Sequence, residues 1–222
     1  MTGAAVLLAG CGGRLKSIAP EDLAPIGADT AAAWAAAFQP ASRLQFDLRW
    51  RFENREGRAA GRATARFAPP DTLRFDYRGP FGRSGSALIV GDSAVWSEPE
   101  GDMESLVPVA PVLWAALGIV IAPEEGAGFV GSDTGDRQAW RAVWDSRALD
   151  YIVLRASPPR FLAELREGTR ILGVAEVDLA GPVPAHPTGA VMRFPDQRST
   201  FTLTVRQVDT VATYPPDTWK RP

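Results

Sequence analysis

The segment RLQFDLRWRFEN, residues 43–54, decides the fold, because polar and apolar side chains alternate along its whole length. The large apolar residues on one face are Leu44, Phe46, Leu48, Trp50 and Phe52. A period of two residues is typical of a strand that buries one face. The segment therefore predicts an antiparallel sheet with one solvated face and one covered face.

The next segment, RAAGRATARF at residues 58–67, alternates in the same way, but its apolar face is almost without side-chain volume. The residues expected on that face are Ala59, Gly61, Ala63, Ala65 and Phe67. Protein interiors are close-packed, so another group must fill the space between the two strands and the rest of the core. Two occupants fit: an Ala-rich helix expected over residues 30–38, or a hydrophobic ligand.

Short alternating segments continue to residue 210 and are separated by Gly, Pro or Asp at most joints. About ten strands with hairpin-length links predict one curved antiparallel sheet with a covered inner face. One apolar stretch, residues 105–123, breaks the pattern and predicts a short helix over residues 112–117. This helix is expected to lie over the open side of the sheet, either as part of the core or as a movable lid over a cavity.

The N-terminal stretch VLLAGCGG, residues 6–13, contains the only cysteine of the chain, Cys11. An apolar residue and two small residues before a cysteine are typical of a bacterial lipobox, in which the cysteine is lipidated after the signal peptide is removed. The alternative is a buried cysteine in an N-terminal strand or helix. We expect residues 1–10 to be the end of a signal peptide that begins upstream, residues 11–40 to form a lipidated tether and a short helix, and residues 41–222 to form the domain.

The chain has 222 residues, of which 45% are hydrophobic and 23% are charged, as in an ordinary globular protein. Its net charge of −2 argues against nucleic-acid binding. The charge is uneven, because residues 43–83 hold ten arginines and five acidic residues, whereas the remainder holds 14 basic and 21 acidic residues. The basic region is either a solvated sheet face or a surface for an anionic partner.

The sequence contains none of the common catalytic or metal-binding motifs. It has no Cys-x-x-Cys, no His-Glu-x-x-His and no Gly-x-Ser-x-Gly, and its only histidine is His186. We therefore expect a protein that is not an enzyme and that needs no metal and no cofactor. A hydrolase that works with carboxylates alone is the remaining enzymatic alternative.

Three further segments resemble the outer-membrane lipoprotein receptor family LolB, in the same order along the chain. They are YRGPFGRSGSALIV at residues 77–90, VLWAALGIVIAPEEG at residues 112–126 and PPRFLAELREGTRILGVAEVDL at residues 158–179. With the lipobox, the resemblance covers most of residues 42–182. The C-terminal segment TVATYPPDTWKRP, residues 210–222, looks more like other lipoproteins of the LolA superfamily.

The resemblance implies an α+β, mostly antiparallel half-open β-barrel of about eleven strands, whose concave face is covered by short helices. It also implies a monomer, lipid-anchored at the periplasmic face of the outer membrane of a Gram-negative bacterium. Such a protein would accept lipoprotein acyl chains from a LolA-like periplasmic carrier and insert lipoproteins into the membrane. The alternative is a LolA-like lipoprotein that binds another hydrophobic ligand or serves as a passive envelope component.

Two kinds of functional residue are expected besides Cys11. The candidate lining of a hydrophobic cavity is Phe46, Leu48, Trp50, Gly61, Ala63, Ala65, Phe75, Trp96, Trp114 and Leu117. Phe81 lies in a Gly-Pro-Phe-Gly turn, where it is either folded back on the sheet or exposed for a purpose. The resemblance favours a membrane-insertion tip, because the family has a protruding leucine at the matching position.

Overall fold

A computed structural model describes residues 15–100, 109–121 and 126–222 and shows a single antiparallel sheet that does not close into a barrel. This confirms the predicted fold class, with thirteen strands rather than about eleven. The strands are β1 Ala24–Pro25, β2 Arg43–Asn54, β3 Gly57–Ala68, β4 Thr72–Arg78, β5 Ser84–Val90, β6 Ser93–Glu98, β7 Gly128–Asp133, β8 Arg137–Trp144, β9 Arg147–Leu154, β10 Arg160–Glu167, β11 Arg170–Leu179, β12 Pro187–Phe194 and β13 Ser199–Val211. Their spatial order in the sheet is β1-β7-β8-β9-β10-β11-β12-β13-β2-β3-β4-β5-β6.

Strands β2 and β3 pair as their alternation predicts. Leu48 lies opposite Ala63 and Trp50 lies opposite Gly61, so the large and small apolar residues share the inner face. A β-carbon at Gly61 would lie 2.9 Å from Cε2 of Trp50 and 1.9 Å from the carbonyl oxygen of Arg78. The Trp50 ring thus occupies part of the space that the small residues of β3 leave open.

The first helix, α1 (Ala28–Ala36), does not fill the space beside β3, which was one of the two predicted occupants. It packs near β7, where Trp34 lies against Gly131 and contacts the ring of Trp140 edge-on at 6.2 Å. The helix begins earlier than the expected residue 30, and its N-cap is Gly27 without a side-chain capping bond. Asp29 and Thr30, whose side chains are typical of N-caps, therefore lie inside the helix.

The second helix, α2 (Ala110–Ala116), lies inside the concave side of the sheet and contacts β10, β11 and β12. All seven of its residues are buried, as expected of a helix that is apolar on every side. The Nε1 atom of Trp114 donates a hydrogen bond of 2.7 Å to the carbonyl oxygen of Gly91 in the turn between β5 and β6. Helix α2 therefore bridges two distant parts of the curved sheet. No helix of the described ranges has the length and apolar character needed to cross a membrane.

Residues 15–25 pack against the outer face of the sheet, so the tether predicted within residues 11–40 is wrong for this part. The side-chain hydroxyl of Ser17 and the backbone N–H of Ile18 donate to the Glu164 carboxylate at 2.6 and 2.8 Å. Arg141 donates to the carbonyl oxygen of Pro20 at 2.9 Å, and β1 pairs with β7. Cys11 lies outside the described residues.

Candidate functional site

Five of the ten candidate lining residues lie in a closed part of the core. Each is at most 2% exposed, and the Trp114 ring packs edge-on against Phe67 at 6.1 Å. Helix α2 and the surrounding strands therefore leave this part of the inner face filled by the protein itself. These five residues are Phe46, Leu48, Ala65, Trp114 and Leu117.

The inner face is less covered toward the turn that joins β2 and β3. Trp50 lies there against Phe201, with nearly parallel rings at 6.0 Å, and against Tyr77, edge-on at 6.0 Å. Phe52 contacts Phe201 at 6.3 Å, and Ala59 lies opposite Phe52 on β3.

Phe52, Ala59, Tyr77 and Phe201 are only half-buried, and all of them pack against the main core. We name the four rings Trp50, Phe52, Tyr77 and Phe201 the aromatic opening. Three other candidate residues adjoin it on the inner face: Gly61, Ala63 and Phe75.

Trp96 does not line the inner face, so its assignment to the cavity is wrong. It pairs with Leu88 on β5, which in turn pairs with the outward-facing Arg74 on β4. The Arg74 guanidinium lies over the Trp96 ring at 5.4 Å, and Nε1 of Trp96 is 3.4 Å from the carbonyl oxygen of Trp219. The C-terminal segment therefore covers Trp96 on the outer face, a contact that short-range alternation cannot predict.

The inner face also contains two polar atoms without a hydrogen-bond partner among the described residues. They are the hydroxyl oxygen of Tyr151 and Nε1 of Trp144. Tyr151 is buried between Trp140 and Phe161, at ring distances of 5.2 and 5.7 Å, and burial raises the pKa of its hydroxyl. This neutral donor has no acceptor, which costs about 1–3 kcal/mol.

Phe81 is fully exposed, with a relative accessibility of 101%, and is not folded back on the sheet. It lies in the 3-10 turn Pro80–Gly82 between β4 and β5. Its backbone has φ 58° and ψ 30°, in the left-handed region that glycine adopts more easily. An exposed aromatic ring on a left-handed backbone has no structural role that its contacts explain.

The described ranges contain no group of three or more His, Cys, Asp or Glu side chains that could hold a metal ion.

The candidate site is an apolar concave surface with one half-open end. Phe201 and Tyr77 belong to it although neither was among the candidate residues. Phe201 is far from β2 in the sequence, and the pairing of β13 with β2 brings it next to the residues of β2.

No family model and no curated protein matches the sequence. Among solved structures, a LolA superfamily protein from Nitrosomonas europaea is similar, with 12% identity, a TM-score of 0.55, and coverage of 88% of this chain and 98% of that one. An outer membrane lipoprotein-sorting protein domain from Vibrio parahaemolyticus has 9% identity and a TM-score of 0.49 over 86% and 95% of the two chains. A DUF1329 family protein from Desulfovibrio piger has 8% identity and a TM-score of 0.48 over 86% and 95%. The chain has the open-barrel fold of the LolA superfamily protein.

Proposed function

We propose that this protein is a non-enzymatic lipoprotein of the cell envelope that accepts acyl chains at the inner face of its half-barrel. The aromatic opening is the observation that carries this proposal. It leaves apolar rings half-exposed at the end of an otherwise buried core, and such a surface is typical of a ligand-binding groove. The fold shared with a LolA superfamily protein supports the same function.

The closed part of the inner face defines how an acyl chain would enter. Helix α2 fills the concave side, and Trp114 fixes it to the turn between β5 and β6 by one hydrogen bond. An acyl chain enters at the aromatic opening and displaces α2 from the sheet when it extends further. The unpartnered hydroxyl of Tyr151 is then available to an ester oxygen of the ligand.

The specific role that we propose is that of a LolB-like receptor. It takes lipoproteins from a LolA-like periplasmic carrier and inserts them into the outer membrane, with Phe81 as the membrane-contacting tip. The exposure of Phe81 favours this role over that of a passive envelope component. A LolA-like protein that holds another hydrophobic ligand remains the second candidate, because the aromatic opening fits any extended apolar chain.

Filling the aromatic opening is expected to block ligand binding. Ala59 faces inward beside Phe52, whereas its neighbour Ala60 is exposed on the outer face opposite Arg51. Ala59→Trp should weaken the binding of a fluorescent fatty acid at least tenfold, because the indole ring takes the space of the ligand. Ala60→Trp adds the same side chain on the other face and should bind like the wild type. Fluorescence titration with both variants measures the difference.

Two results would contradict acyl-chain binding at this place. One is a wild-type protein that never binds the fatty acid and carries no acyl chain when its membrane-purified form is analysed by native mass spectrometry. The other is equal weakening by Ala59→Trp and Ala60→Trp. A thermal melt of both variants separates loss of ligand from loss of fold.

The lipid anchor is a second proposal, and it rests on Cys11. Acylation contributes about 0.8 kcal/mol per buried methylene, so several chains hold a protein firmly in a bilayer. With a complete signal peptide upstream, Cys11→Ser should move the protein from the outer-membrane fraction to the soluble periplasm or leave it unprocessed. Cys11→Ala is the companion variant. Membrane fractionation measures the distribution of both variants. If either variant is distributed like the wild type, the lipidation proposal is wrong.

A further inference from the structure

A straight row of hydrogen-bond donors crosses the outer face of five neighbouring strands. Arg49 on β2 lies opposite Arg62 on β3, and Arg62 lies opposite Arg78 on β4. Hydroxyl groups continue the row at both ends, with Thr204 on β13 opposite Arg49 and Ser84 on β5 opposite Arg78. We name these five residues the arginine row.

The three arginines of the row have no acidic partner of their own. All three side chains are exposed, and none of them forms an ion pair or a side-chain hydrogen bond with another described residue. The neighbouring arginines on the same face differ in this respect, because Arg66 and Arg74 both bind Asp76, at 2.5 and 2.9 Å.

Like charges directly opposite each other across strands destabilise a sheet. A row of three therefore has a cost in the free protein that a bound anion would remove.

The row forms part of a groove rather than a flat face. The C-terminal segment leaves β13 and runs across the outer face, where the hydroxyl of Tyr214 donates to the carbonyl oxygen of Leu44 at 2.6 Å. Arg74 fixes the segment further along by donating to the carbonyl oxygen of Thr218 at 2.6 Å. The segment and the sheet enclose a groove of about 1160 Å³. It is lined by Arg49, Arg62, Arg78 and Ser84 and also by the acidic residues Asp47, Asp76 and Glu98.

We propose that the arginine row binds the phosphate group of an anionic lipid headgroup. Guanidinium groups match phosphate oxygens with paired N–H donors, and hydroxyl groups at both ends add further donors. The row flanks the turn that carries Phe81, because Arg78 is the last residue of β4 and Ser84 is the first residue of β5. The choice of a lipid rests on the membrane-contacting role proposed for Phe81: a lipid whose tail contacts Phe81 places its headgroup near Arg78, which favours a lipid over a soluble phosphate compound. The site is separate from acyl-chain binding, since the aromatic opening lies on the other face of the sheet.

The test measures vesicle binding by the full chain with Cys11→Ser in every sample, so that no acyl anchor contributes. Vesicles contain phosphatidylcholine alone or with 30% phosphatidylglycerol. Arg62→Gln should weaken binding to the phosphatidylglycerol vesicles about fivefold, and Arg49→Gln with Arg62→Gln should weaken it about 25-fold. Arg160→Gln, which removes the exposed arginine that begins β10, should change vesicle binding less than twofold. The melting temperature of the row variants should be unchanged or higher, because like-charge repulsion is relieved.

A second arm uses soluble glycerol phosphate as the competitor. Competition that depends on Arg62 supports recognition of phosphate by the row. Three results overturn the proposal. Equal loss of vesicle binding in Arg62→Gln and Arg160→Gln would indicate an effect of net charge alone, and equal binding of the protein to both kinds of vesicle would indicate no recognition of the anionic headgroup. Binding of glycerol phosphate at the row, with vesicle binding unaffected by the row variants, would assign the site to a soluble phosphate. Row variants that bind vesicles normally but fail to bind an acidic carrier protein would likewise replace the lipid by a protein partner.

Discussion

Asp150→Asn is expected to lower the free energy of unfolding by about 3 kcal/mol or more, the largest stability effect that we predict. The Asp150 carboxylate is completely buried and accepts hydrogen bonds from Arg141 at 2.6 Å and Arg166 at 2.8 Å. Removing its charge leaves the Arg141 guanidinium without a counter-ion among the described residues, and Arg166 keeps only Glu164, at 3.1 Å. Arg141 also binds the carbonyl oxygen of Pro20, so the N-terminal segment should loosen with it. Urea denaturation measures the loss.

The matched control for Asp150→Asn is Asp196→Asn. Asp196 also binds an arginine, Arg170, at 2.5 Å, but both side chains are about half exposed. Exposed pairs of this kind contribute little, because water already solvates both charges. Equal losses in the two variants would mean that burial of the Asp150 cluster is not the source of its stability. Limited proteolysis near residues 15–25 should increase in Asp150→Asn alone.

The alternation of strands β2 and β3 predicts much of the fold, because every second side chain of a strand must face the same side. The pairing of Leu48 with Ala63 and of Trp50 with Gly61 follows from that rule and a short turn. The covered inner face and a short apolar helix inside it were predicted in the same way. The strand pairing, the covered face and the short helix all depend on residues that are close in the sequence, so local sequence patterns predict them.

Long-range contacts explain what the sequence does not predict. Residues 15–25 resemble a flexible linker in composition, but the buried carboxylate of Glu164, nearly 150 positions away, fixes them to the sheet. The β5–β6 register shifts between the pairs Ile89–Ala94 and Leu88–Trp96, which turns Trp96 to the outer face, and the returning C-terminal segment covers it there. Phe201 joins the aromatic opening because β13 pairs with β2. Local alternation carries no information about any of these three contacts.

Phe81→Glu is expected to weaken delivery to membranes strongly while the fold and ligand binding remain intact. The ring is fully exposed and its backbone is left-handed, so the substitution removes no core contact. Inserting a phenylalanine side chain into the apolar part of a bilayer gains roughly 1.5–3 kcal/mol. Losing that gain lowers transfer to liposomes about 10- to 100-fold. The melting temperature should change little, as for other exposed positions.

A two-stage assay separates the roles of the tip and the core. Transfer of a lipoprotein from its carrier to this protein is measured first, and transfer from this protein to liposomes second; only the second should fail in Phe81→Glu. Val95→Glu is the matched control, because Val95 is also an exposed apolar residue but lies on the edge strand β6. Equal loss at both stages, or the same loss in Val95→Glu, would mean that the Phe81 tip has no specific part in delivery. If Val95→Glu still transfers lipoprotein to liposomes and Phe81→Glu does not, the contact with the membrane lies at the turn between β4 and β5.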